Sequence, residues 1–60
     1  MKLEELKDKR KEAGLSQLEL ASQIDIGRST LSLLENGKRK PSYEVMKRIS
    51  KVLNEPFEVQ

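Results

Sequence analysis

The chain has 60 residues, no cysteine, no histidine, and a formal charge of +2 from 12 Lys/Arg and 10 Asp/Glu. Without Cys there is no disulfide or thiolate metal site, and without His the commonest metal ligand and general base is missing. The length supports one domain, 1–60, whose small core removes only about 60% of the unfolded surface from water; no apolar run nears the roughly 18 residues of a membrane span, and MKLEELKDKRKE has no signal-peptide apolar region.

Residues 2–13 carry Leu3, Leu6, Arg10 and Ala13 on one helical face. Gly14 closes that helix because it tolerates a left-handed backbone. A second helix, 17–24, opens at Ser16 with SQLE, a capping box in which Ser16 and Glu19 satisfy each other's amides. Leu20, Ala21 and Ile24 face inward, and Asp25-Ile26-Gly27 is a tight turn. A third helix, 28–36, buries Leu31 and Leu34. It leaves Arg28, Ser29, Ser32 and Leu33 outward, with Thr30 at the flank. Asn36-Gly37 stops it, and Lys38, Arg39, Lys40 and Pro41 form a loop. Ser42 caps a fourth helix, 43–53, with Tyr43, Met46, Ile49 and Leu53 as its core stripe and Val45 and Val52 on the border. The tail 56–60 reads equally as a last helical turn from Pro56 or as an extended segment.

The expected architecture is all-α, a compact bundle of four to five short helices. The second and third helices are separated by a short turn, the helix-turn-helix arrangement. A helix fits the major groove of B-DNA if its inner face anchors it and its outer face is small. Residues 28–36 satisfy both conditions. Charge is polarised to match: residues 26–51 hold seven cations and two anions, a net of +5, and the remainder a net of −3. Such a segment favours a polyanionic partner.

GLSQLELASQI followed by STLSLLENGKRKPS resembles the helix-turn-helix family typified by the phage repressors and Cro. The resemblance runs from Leu3 to Phe57. It rests on SQxxLA at Ser16–Ala21 and ENGxxxPS at Glu35–Ser42, with 13 residues between Ala21 and Glu35. It implies a lambda-repressor-like DNA-binding fold and a transcriptional regulator, most simply a repressor acting in the cytoplasm. Gln17 is implied to hydrogen-bond a phosphate, and Arg28, Ser29, Ser32 and Leu33 to face base edges. Asn36, Lys38, Arg39 and Lys40, with the backbone amides around Asn36 and Gly37, are implied to hold the phosphate strand beyond the third helix. Arg28 is suited to guanine O6 and N7, and Leu33 to a thymine methyl. Arg10 and Glu35 are implied to form a partly buried structural ion pair.

The partner expected is double-stranded DNA, bound as a homodimer on two half-sites. Val45, Val52, Pro56, Phe57 and Val59 are the candidate dimer contact. No catalytic residue, metal site, cofactor, membrane or small-molecule ligand is indicated, and an enzyme is not expected. Asp25 stands where the family usually has Gly, Gly27 where Ser or Thr is usual, Leu33 where a polar reader is common and Leu18 where a charge is commoner. Exposed Leu18 and Leu33, with the Val45/Val52 border, support an alternative: a protein-interaction module such as an antitoxin, antirepressor or adaptor. One Tyr and one Phe are too few for the stacking platforms of a single-stranded RNA binder.

Overall fold

A computed structural model describes residues 1–58. It is all-helical, with no strand among the described residues. A 3-10 turn, Leu3–Glu5, precedes α1 (Leu6–Glu12), α2 (Gln17–Gln23), α3 (Arg28–Glu35) and α4 (Tyr43–Leu53). The first element is thus shorter than the sequence pattern suggests. The 2–13 segment begins as a 3-10 turn with the Lys2 N–H donating to the Glu5 carboxylate at 2.8 Å.

Leu6, Leu20, Ala21, Ile24, Leu31, Leu34 and Ile49 form the buried core, joined by Met1. Leu3, Leu15, Ile26, Val45, Val52, Leu53 and Phe57 pack around it. Three expected core residues are neither in it nor packed on it: Ala13, Tyr43 and Met46, the last only half-buried on an open groove. Ala13 is exposed, because α1 ends at Glu12 and the chain reverses at Gly14 (φ +76). Tyr43 is 76% exposed. At about 100° per residue it lies about 120° around α4 from Ile49, off the buried stripe. Its ring takes the Lys47 ammonium 5.5 Å from the centroid instead.

Every α-helix ends on a residue with positive φ: Gly14, Asp25 (φ 59), Gly37 (φ 71) and Asn54 (φ 54). After the first two, Leu15 and Ile26 fold back so that Leu15 N–H reaches Arg10 O (3.2 Å) and Ile26 N–H reaches Ala21 O (3.0 Å). These are Schellman closures, each with its apolar residue returning to the core. They account for how helices of only seven residues stay defined, since such short helices are marginal alone.

Residues 55–58 adopt no helical turn. They run back along the start of the chain: Glu58 N–H donates to Met1 O at 2.9 Å, Phe57 N–H to Ser50 Oγ at 3.3 Å, and the Met1 ammonium to Pro56 O. Val59 lies outside the described residues. No described helix is long and apolar enough to cross a membrane.

Candidate nucleic-acid interface

The α2–turn–α3 unit is built by local chemistry. The capping box at Ser16 is complete: Glu19 N–H donates to Ser16 Oγ at 3.0 Å and Ser16 N–H to the Glu19 carboxylate at 2.9 Å. The Ser16 backbone N–H, with its hydroxyl, holds the Glu19 carboxyl below its ordinary value. Asp25 supplies the left-handed residue of the turn, which short polar side chains tolerate better than most. Gly27 opens α3 with an extended backbone and no side-chain cap. A Cβ there would meet only ordinary contacts, Thr30 Oγ1 at 3.8 Å and Ser29 Oγ at 3.9 Å.

Leu31 and Leu34 anchor α3. Arg28, Ser29 and Leu33 are exposed on its outer side, whereas Ser32 is half-buried and accepts from Asn36 Nδ2 at 3.4 Å. Lys38, Arg39 and Lys40 follow, all exposed. None of these three, nor Arg28, enters an ion pair among the described residues. One implied contact needs correcting. The amides of Asn36, Gly37 and Lys38 already donate to Ser32 O, Leu34 O and Leu33 O (3.0, 3.2 and 2.9 Å). They close α3 and are not free donors for a phosphate. The free donors at this end are the cationic side chains, the second Asn36 amide hydrogen and the backbone amides of Arg39 and Lys40, which take no partner among the described residues.

Beneath the helix pair lies a buried polar cluster. Glu35, its side chain 1% exposed, takes Arg10 Nε on Oε2 at 2.7 Å. Arg10 Nη2 lies 3.4 Å from Glu35 Oε1, and Arg10 Nη1 donates to Leu15 O at 2.8 Å. An anion in the last turn of a helix opposes the helix dipole, and Arg10 compensates it. Gln17, half-buried, also faces this cluster: its Nε2 donates to Glu35 Oε1 at 3.0 Å. No buried side-chain polar atom among the described residues lacks a partner.

Sequence reasoning missed two members of this scaffold. Arg48 Nη1 donates to Ile24 O at 3.2 Å and Nε lies 3.5 Å from Glu44, so α4 caps the last carbonyl of α2. Nothing in the pattern separates Arg48 from its neighbour Lys47. The Gln17–Glu35 bond joins residues 18 apart, and only the crossing of α2 and α3 brings them together. Of the candidate dimer residues, Val45, Val52 and Phe57 pack partly on the chain's own core. Pro56 and Phe57, with Leu3, Pro41 and Met46, line an open apolar groove. Among the described residues no cluster of acidic side chains could hold a metal ion.

The helix-turn-helix family model matches residues 6–60. The chain is 43% identical over 49 residues to the ImmF control region 10 kDa protein of Bacillus phage phi105, covering 82% of this chain and 54% of that protein. It is 46% identical over 48 residues to the uncharacterized HTH-type transcriptional regulator YqaF of Bacillus subtilis (strain 168), covering 80% and 63%. An uncharacterized HTH-type transcriptional regulator of Methanothermobacter thermautotrophicus is 40% identical over 48 residues, covering 80% and 70%. The chain thus spans 54% and 63% of the lengths of the first two relatives. No solved structure matches it. With its all-helical, lambda-repressor-like fold and a family match over all but its first five residues, the chain belongs to the helix-turn-helix family.

Proposed function

We propose that this protein binds duplex DNA sequence-specifically with α3 in the major groove, and that it acts as a transcriptional repressor by occupying a promoter. One observation carries the reading: an exposed outer face on α3 leads directly into three exposed cations that take no internal ion pair among the described residues. A helix with its side chains is about 10–12 Å across, which fits the roughly 12 Å width of the major groove, and the eight residues of α3 run about 12 Å along it. Arg28, Ser29, Ser32 and Leu33 read base edges, and Gln17, Asn36, Lys38, Arg39 and Lys40 hold phosphates. Base contacts give specificity and phosphate contacts fix register. The control-region and transcriptional-regulator names of the relatives support the same class of activity.

The backbone extends 27 Å along its longest axis. Half-sites in this mode of recognition lie about 34 Å apart, so one copy does not reach both. A homodimer does, and Val45, Val52, Pro56, Phe57 and Val59 are its proposed contact. Selection from a random duplex library tests the proposal. The expected product is a two-fold symmetric sequence with half-sites one helical turn apart; recovery of unselected sequence, with only weak salt-sensitive binding, overturns it.

A second reading has its own observation. Leu18 is 65% and Leu33 39% exposed, an apolar pair on helices that should face DNA. A protein-interaction module would use them against a partner chain. Mixing the protein stoichiometrically with duplex DNA and, separately, with the product of a neighbouring gene distinguishes the two.

A further inference from the structure

We infer that Glu35 is a positioning residue for DNA binding as well as a structural one: it fixes the side-chain amide of Gln17 so that the NH2 group, not the carbonyl, is offered to a phosphate. The inference rests on the proposed DNA reading and deepens it.

A glutamine amide presents a carbonyl acceptor and an NH2 donor of nearly equal shape, and a free side chain samples both orientations. A phosphate oxygen accepts hydrogen bonds and does not donate, so only one orientation binds it. Here the choice is made before DNA arrives. Glu35, as a carboxylate, accepts only, and Gln17 Nε2 lies 3.0 Å from its Oε1. The flipped amide would set its carbonyl oxygen against that carboxylate and leave both acceptors without a proton between them. The nitrogen is therefore held in place by one hydrogen and retains the other. Gln17 is only half-buried, at the first position of α2.

The same cluster solves the charge problem this creates. A carboxylate behind a phosphate contact would repel the phosphate. Arg10 sits on the opposite oxygen, Nε to Oε2 at 2.7 Å, and its guanidinium reaches Oε1 at 3.4 Å. The Glu35 charge is thus compensated within the protein, and the Gln17 amide faces the nucleic acid as a neutral donor. A neutral donor releases no counterion. Its loss lowers affinity without changing the dependence on salt, unlike the loss of a lysine.

The test is a cycle on duplex binding with the selected operator. Gln17→Ala should weaken binding about tenfold per copy, the scale of a hydrogen bond to an anion, with the salt slope unchanged. Replacing the buried pair by apolar residues, Arg10→Met with Glu35→Leu, is expected to retain the fold. In that background Gln17→Ala should cost almost nothing further, because the amide is no longer aimed. An equal cost of Gln17→Ala in both backgrounds overturns the inference, as does parent-level affinity of the double variant. Should the double variant not fold, the unmodified protein decides. The Gln17 side-chain amide protons are followed by NMR, where one should exchange slowly in the free protein and the second slow only when DNA binds. Two fast-exchanging protons in the free protein, or no change on binding, refute it. A parent that binds no duplex at all removes the DNA reading itself, and the inference with it.

Discussion

Removing Arg10 alone should unfold the protein before it alters specificity. In the native state Arg10 touches Glu35 at 2.7 Å and Leu15 O at 2.8 Å, with side-chain exposures of 8% for Arg10 and 1% for Glu35. Arg10→Ala leaves the carboxylate buried with Gln17 as its remaining side-chain donor, and leaves the Leu15 carbonyl without the guanidinium. Breaking a buried pair in this way costs about 3–5 kcal/mol. At about 0.05–0.15 kcal/mol per residue a 60-residue domain has only about 3–9 kcal/mol in all. The loss therefore takes from about a third to all of the stability. In urea, where small proteins have slopes of about 1–3 kcal/mol per molar, the midpoint should fall by more than about 1 M. Circular dichroism at 222 nm, a far-ultraviolet helix signal, reports it. Glu35→Ala should behave similarly, because it strands the guanidinium. The pair of changes Arg10→Met with Glu35→Leu should not. Midpoints of the single variants indistinguishable from the parent would refute the reasoning, since they would mean the pair contributes nothing beyond its desolvation.

Glycine behaviour separates conformation from contact. Gly37→Ala and Gly14→Ala each force a side chain into φ +71 or +76 with no atom within 4 Å of the new Cβ, so each should lose about 1–2 kcal/mol from backbone strain alone. Gly27→Ser should instead stabilise by about 0.5–1 kcal/mol, through a new N-cap and a less flexible unfolded chain; thermal midpoints read both, and a stabilising Gly37→Ala or a destabilising Gly27→Ser contradicts the account. Glu5 and Glu19 are held below their ordinary value of 4.5 by backbone hydrogen bonds from Lys2 and Ser16. Because folding lowers these values, their contribution is present above pH 4.5 and is lost as pH falls through the folded values. Urea midpoints should drop in that window, and Glu19→Gln should flatten the drop; an identical profile in the variant rejects it. Replacing Lys38, Arg39 or Lys40 by Gln should each lower the slope of log affinity against log salt by about 0.9 wherever the residue meets a phosphate, measured by fluorescence anisotropy between 50 and 200 mM salt. Slopes unchanged in all three would remove the loop from the interface.

What the sequence makes legible here is whatever local chemistry decides. SQLE specifies its capping box without help from the rest of the fold, and Gly14 and Gly37 announce left-handed helix ends because few other residues accept them. The buried faces of α2 and α3 follow from the spacing of Leu20, Ile24, Leu31 and Leu34. Tyr43 shows the limit of spacing: an apolar residue in the first turn of α4 falls off a stripe centred on Ile49, and its hydroxyl is better served by water. Ala13 fits the spacing of the first helix, but the chain ends that helix one residue earlier, at Glu12. At the site, outward residues of α3 can be read from period alone. The Gln17–Glu35 and Arg48–Ile24 bonds cannot, because they depend on how the helices cross. Nor can the occupied amides at Asn36–Lys38, since whether a helix end donates outward or closes on itself depends on the residues that follow it.

The central claim is that α3 reads bases. The most direct measurement is selection from a random duplex library with the parent and with Arg28→Ala in parallel. Arg28 is exposed at the first position of α3, free of any ion pair among the described residues, so its removal should leave the fold intact. The account predicts that the variant recovers the same two-fold symmetric sequence with preference lost at one position in each half-site, a discrimination of about 1–3 kcal/mol for a bidentate contact to guanine. An identical preference at every position, or none in the parent, would contradict it.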